Sequence, residues 1–179
     1  EWIMAENKIR LAAVIGDSLV NGKGLRKAFF SQGCSHRCKG CFNEHTWSFD
    51  GGQICDVDQL VQDTLRESYL SGVTFTGGDP FEQPEPFGYM AEQFHKHGVN
   101  IWAYTGYTFE ELLELAKKDK NIKRMLNNID VIVDGPFQEN KMSDQVLYRG
   151  SYNQRIIDVP ASLTQNRIIV LDYDHEDMI

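Results

Sequence analysis

Three of the four cysteines in this chain lie close together, as Cys34, Cys38 and Cys41 in Gly33-Cys-Ser-His-Arg-Cys-Lys-Gly-Cys-Phe-Asn43. The C-x3-C-x2-C spacing would share one face of a helix. Gly33, Gly40 and the polar residues between the thiols oppose a helix, however, because glycine costs about 1 kcal/mol there relative to alanine. Disulfides need an even count. A structural zinc ion needs four ligands, so it would have to recruit Cys55, His36 or His45, and the paired spacing of zinc modules is absent. Iron–sulfur cubanes normally take four thiolates. Three leave one iron with an open position, as catalytic metal sites do when they must bind a substrate. The odd count therefore suits a [4Fe-4S] cluster that both delivers an electron and ligates the molecule receiving it.

The elements that must position these thiols alternate between strand and helix patterns. Lys27–Ser31 reads as a strand running into the cysteine loop. Val57–Leu70 has helical apolar spacing, Val73–Thr76 is a β-branched strand closed by Gly77-Gly78, and Pro86–His97 is a helix. Asn100–Tyr104 is the next strand, and Thr108-Phe-Glu-Glu111 is a capping box opening another helix. A short helix is expected over Ile122–Leu126. Further strands are expected at Ile129–Val133, Arg155–Val159 and Arg167–Leu171. Such alternation predicts a mainly parallel sheet with right-handed crossovers. A complete eight-stranded barrel takes about 250 residues, so 179 residues predict a partial, open (β/α) barrel. Ligands gather where such strands end, and here the ends carry Gly33, Gly77-Gly78-Asp79, Thr105-Gly106 and Asp134-Gly135.

Composition narrows the function classes. A net charge of −8 argues against a general nucleic-acid binder, whose footprint is basic. No apolar run reaches the ~20 residues of a membrane span, and no secretory signal pattern is present. Crowded thiols fit a reducing cytoplasm better than a secreted disulfide framework. Glu1-Trp2-Ile3 precede the first methionine, Met4, and are read as a cloning remnant, leaving one expected domain over 4–179. Between Asp17 and Glu44 the charged residues are all basic: Lys23, Arg26, Lys27, Arg37 and Lys39. That stretch is a candidate docking patch for an acidic electron donor. Cys55 reads as a small buried hydrophobe, and His95 and His97 read as surface residues.

The cysteine run resembles the radical S-adenosylmethionine (SAM) signature. Val20-Asn-Gly-Lys-Gly24, the 33–43 stretch, Thr46-Trp47, Thr76-Gly-Gly-Asp-Pro80, Trp102–Tyr107, Val133-Asp-Gly135 and Arg149-Gly-Ser-Tyr-Asn-Gln-Arg155 extend the likeness. In that order they resemble the glycyl-radical activases, in the branch serving anaerobic ribonucleoside-triphosphate reductase. Related pyruvate formate-lyase activases usually carry an aromatic where Gly40 stands and Gly-Gly-Glu in place of Gly77-Gly78-Asp79. The resemblance implies SAM as cofactor, cleaved to a 5′-deoxyadenosyl radical that takes a hydrogen atom from a glycine of the large reductase subunit. It also implies a flavodoxin-like or ferredoxin-like donor. Implied SAM contacts are Gly40, Cys41, Phe42, Gly77, Gly78, Asp79, Thr105 and Asp134, with Gly78 meeting the methionyl amino group. Arg149, Asn153 and Arg155 belong either to the SAM site or to the partner surface. An activase for another glycyl-radical enzyme is the near alternative. A zinc-stabilised binding module, or a simple electron-transfer ferredoxin, is the alternative of another class.

Overall fold

The structure, a computed structural model, describes residues 8–174; the remnant expected at residues 1–3 lies outside them. Strands β1 (Lys8–Ser18), β2 (Arg26–Ser31) and β3 (Gln53–Asp56) precede helix α1 (Val57–Leu65) and β4 (Gly72–Gly77). Then follow α2 (Pro84–Lys96), β5 (Ile101–Tyr104), α3 (Phe109–Ala116), α4 (Lys120–Asn128), β6 (Val131–Asp134), β7 (Arg155–Asp158) and α5 (Val159–Gln165).

The strands form one open sheet in the order β3-β1-β2-β4-β5-β6-β7. Its centre, β2-β4-β5-β6, is parallel, as the helical crossovers require. Both margins are antiparallel, where β1 pairs with β2 and β3, and β7 with β6. The parallel expectation thus holds for the middle of the sheet. Its first margin was illegible because β1 exposes most of its outer half and lacks clean alternation. The strand expected at Arg167–Leu171 reduces to one bridge, Ile157 to Val170. Residues 159–165 before it are helix α5, with Asp158 accepting from the Ala161 amide as its cap.

Period-two alternation sorts the sheet into two faces. Phe29, Phe75, Ala103, Ile132 and Ile157 stand side by side in register across five strands. All five are fully buried, packed with Phe87, Met90 and Phe94 of α2 and Leu112 of α3. Each large apolar side chain removed from water there contributes about 1.5–3 kcal/mol. The neighbouring residues Phe30, Thr76 and Tyr104 face the other way and line a cavity. At its closed side Trp102, Val133 and Ile156 pack with Tyr148 and Tyr173.

Helix ends follow local chemistry. Thr108 and Glu111 make the reciprocal capping box that the sequence predicts, at 3.2 and 3.0 Å. Helix α1 stops at Leu65, short of the predicted Leu70. Beyond it Glu67 bonds Lys27 at 3.1 Å and the Ser71 amide bonds Leu25 at 2.7 Å. Those contacts turn the chain into β4. Among the described residues no helix is long and apolar enough to cross a membrane.

Candidate functional site

The three cysteines follow directly from the end of β2, in a loop held by backbone contacts rather than by secondary structure. Gly33 and Cys34 amides donate to Thr46 and Trp47 carbonyls at 2.6 and 3.2 Å. Arg37, between the first two thiols, takes a left-handed backbone with φ 50°, which an L-residue adopts only when its surroundings hold it there. The loop seats on the turn after β4. The Gly78 amide donates to Ser31 O at 2.8 Å and the Asp79 amide to Gly33 O at 2.9 Å. A Cβ on Gly78 would stand 2.4 Å from Gly33 O, so only glycine lets the turn approach the loop this closely.

Buried beneath both, Asp79 ties three strand ends together. Its carboxylate accepts from His36 Nε2 at 2.7 Å, Thr105 Oγ1 at 2.9 Å, the Gly106 amide at 3.0 Å and the Phe81 amide at 3.0 Å. The hydrogen bond to Asp79 raises the His36 pKa against the opposing effect of burial. His36 also packs edge-on against the Tyr107 ring, centroids 4.5 Å apart. Tyr107 in turn donates to Glu82 at 3.2 Å, and Ser35 of the cysteine loop bonds the same carboxylate.

Cys34, Cys38, Cys41, Phe42, Gly77, Gly78 and Thr105 all line one cavity of about 870 Å³, together with Phe137, Gly135 and Arg149. The thiols are free of disulfides. Among the described residues no three His, Cys, Asp or Glu side chains close to the geometry of a single metal ion. Burial pushes the Cys34 thiol up to about 11 and raises Cys38 as well. Such thiols ionise readily only against a positive partner, and metal binding would release their protons. An amide donor faces one sulfur, Asn43 N–H reaching Cys41 Sγ at 3.4 Å, and the backbone of His36 and Arg37 partly offsets the upward effect of burial on Cys34. Hydrogen bonds of this kind tune cluster potentials. Three soft thiol donors in one walled space, with an amide aimed at one sulfur, fit an iron–sulfur cluster.

Several residues singled out from sequence lie elsewhere. Gly40 is exposed, on the outer side of the loop, with Glu139 as its neighbour. Asp79 and Asp134 sit behind the cavity wall, their carboxylates taken up by protein donors. Asp134, 1% exposed, accepts from the Phe109 amide at 2.8 Å and from Arg155 Nε at 3.1 Å. Arg155 Nη2 joins it to Glu110 at 2.6 Å. Arg155 is therefore a clamp between β7, β6 and α3. Replacing Arg155 by Gln should cost about 3 kcal/mol, because it strands a buried carboxylate without its charge partner; urea unfolding of the metal-free protein measures this. Asn153 stands outside the cavity lining and donates to the Pro136 carbonyl at 2.9 Å.

The basic segment needs correction as a surface patch. Arg26 is buried, bonding Thr74, Val73 O and Asn100, and Lys27 is buried on Glu67. Arg37 and Lys39 are exposed beside the thiols, Arg37 lying 5.5 Å over the Trp47 ring. Cys55 sits in β3 against the main core, away from the cavity. His45, His95 and His97 are exposed. Sequence reading missed Phe137 and Asn43 as site residues. Phe137 follows Gly135-Pro136 in a stretch with no periodicity, and only its contact with Phe42, ring centroids 5.1 Å apart, reveals its place.

Comparison with known proteins adds lineage to this geometry. Residues 20–157 match the family model described as a 4Fe-4S single cluster domain. An anaerobic ribonucleoside-triphosphate reductase-activating protein of Enterobacteria phage T4 is 36% identical over 145 residues, 76% of this chain and 86% of its own length. Proteins of the same name are similar to this chain in Haemophilus influenzae, 35% identical over 147 residues (77% and 90% of the two chains), and in Escherichia coli K12. The latter is 32% identical over 146 residues, 76% and 90% of the two chains.

Proposed function

The chain belongs to the family of anaerobic ribonucleoside-triphosphate reductase-activating proteins, and from that premise we propose that it activates such a reductase by radical SAM chemistry. In this reading SAM, split by one electron into methionine and a 5′-deoxyadenosyl radical, would supply the acceptor for a hydrogen atom from a glycine of the large reductase subunit, giving 5′-deoxyadenosine and leaving a glycyl radical on that subunit. The observation that carries it is the meeting of Cys34, Cys38 and Cys41 with the Gly77-Gly78 turn in one cavity.

A [4Fe-4S] cluster on the three thiols would supply the electron that breaks the sulfur–C5′ bond of SAM. The chain's own contribution is binding, orientation and exclusion of water. Cys34, Cys38 and Cys41 hold the metal centre, and the Asn43 amide facing Cys41 stabilises thiolate charge. Gly77 and Gly78 expose backbone to the methionyl amino group, while Thr105, its hydroxyl held by Asp79 and the Tyr107 amide, fixes the neighbouring strand end. Half-buried Phe30, Tyr104 and Phe137 line the cavity with aromatic rings, which would help keep a reactive radical from solvent, whereas Phe42 lines it as a largely exposed ring. Asp79 and Asp134 act through the side chains they hold. In the same reading the open sheet is part of a radical-SAM-type barrel, Arg37 and Lys39 meet a flavodoxin-like or ferredoxin-like donor, and the protein works in the reducing cytoplasm.

The test is anaerobic incubation of the iron-loaded protein with SAM, a reductant and the large reductase subunit. A glycyl-radical signal in the electron paramagnetic resonance spectrum of the reductase is the expected result. A signal formed only on another glycyl-radical enzyme, such as pyruvate formate-lyase, would reassign the partner. Colourless, fully folded protein carrying one zinc would remove radical chemistry altogether.

A further inference from the structure

Strand β1 is open along part of one side. There β3 pairs with it only from Lys8 to Leu11, and Gly52, whose Cβ would stand 2.4 Å from Leu11 O, marks where the chain leaves. On the other side β2 stays paired as far as Ser18. Among the described residues no strand pairs with the outer side of residues 12–18. Such an edge carries a row of N–H and C=O groups with no ladder partner.

The open stretch begins Ala12-Ala-Val-Ile-Gly16. It holds no proline and no charged residue, the devices that commonly guard an edge against further pairing. Val14 and Ile15 are instead 39% and 44% exposed, and both are β-branched, suited to a ladder. Register shifts between Leu11 and Ala13 and between Ile15 and Ser18 bound a regular segment, Ala13–Ile15.

The same strand borders the cavity. Ala13 lies opposite Phe30, a lining residue, and Ile15, two positions on, lines the cavity with Asp17 and Ser18. Leu19 and Val20, next along the chain, also line it and are 69% and 76% exposed. Successive residues of a strand face opposite sides. A chain laid along this edge would therefore turn every second residue toward the cavity.

We propose that the open edge of β1 pairs with an extended, glycine-bearing segment of the large reductase subunit; this rests on the reading of the cavity as the place where a reductase glycine gives up hydrogen. Glycine has no side chain to recognise, so selection falls on its main chain and its neighbours. Strand addition supplies both, with main-chain hydrogen bonds for affinity and alternate side chains for specificity. At a cavity-facing position glycine presents a Cα–H with no side chain in front of it. Charge favours this occupant over a second copy of the chain, since two copies carrying −8 each repel one another.

The experiment measures amide hydrogen exchange of residues 12–18 in the iron-loaded protein, alone and saturated with the large reductase subunit. Alternate amides there should slow by about tenfold or more on binding. Val14 is not part of the cavity lining, so Val14→Lys puts a guarding residue on the edge without altering that lining. It should weaken binding of the large subunit about tenfold. SAM cleavage driven by a chemical reductant, without the subunit, should keep the parent's rate. Val14→Thr, which keeps the β-branched shape, should bind like the parent. If lysine unsettles β1, exchange in the parent still decides. A glycyl radical formed on the subunit with exchange of residues 12–18 unchanged overturns the proposal. So does protection that arises without the reductase and grows with protein concentration, which assigns the edge to a second copy. A parent that forms no glycyl radical on the subunit overturns the underlying reading instead.

Discussion

Replacing Cys34, Cys38 or Cys41 singly by alanine should strip the protein of its iron and of any power to activate a reductase, whereas Cys55→Ala should leave both intact. The three thiols share one cavity, while Cys55 packs in β3 against the main core. Loss of a supporting partner around a metal typically costs 10–100-fold in affinity or activity, so loss of a ligand should exceed about 100-fold. The metal-free fold should survive. The thiols occupy a loop, and the buried row from Phe29 to Ile157 does not depend on them. Iron and sulfide analysis, with circular dichroism of the same samples, separates the two effects. Full iron content in any of the three variants would remove that cysteine from the ligand set.

The second large effect is at Asp79, and it should appear even without metal. Asp79→Ala leaves the Gly106 and Phe81 amides, the Thr105 hydroxyl and the His36 imidazole without their common acceptor. Breaking a buried, hydrogen-bonded charge pair by removing one partner costs about 3–5 kcal/mol. Nearly all of it should fall on the junction of the β2, β4 and β5 ends, because these are the segments that Asp79 joins. Asp79→Asn keeps the shape but turns one acceptor into a donor facing other donors, so it too should destabilise, by less. Urea unfolding of metal-free protein gives the stability, and iron retention reports the effect on the cysteine loop. An alanine variant with the parent's midpoint and full iron would show that the loop holds its shape without this carboxylate.

The two variants probe different levels of legibility. The cysteine cluster was readable because its chemistry is local: three thiols in one loop, with glycines that forbid a helix. The glycine turn after β4 and the capping box at Thr108 were readable for the same reason. The central parallel strands followed from the alternation of β-branched and helical stretches. The antiparallel margins did not, since β1 hides its inward residues among exposed ones. Asp79 stood out in the sequence as a polar strand-end residue, the kind that faces a ligand. In the structure it faces protein instead.

That division has a physical basis. The amino-acid sequence by itself determined which donors exist, which of them neighbour one another along the chain, and where the backbone can approach closely. Only the tertiary structure decided which polar groups remain free, because their partners come from far away in sequence. Asp79 is spoken for by Thr105, 26 residues on, and by His36, 43 residues back. Asp134 is held by Arg155, 21 residues on. Arg149, six residues before that clamp, is taken up by the Gln154 carbonyl and by Asp174, 25 residues on. A hydrogen bond satisfies a donor once, and the fold chooses which donors it uses.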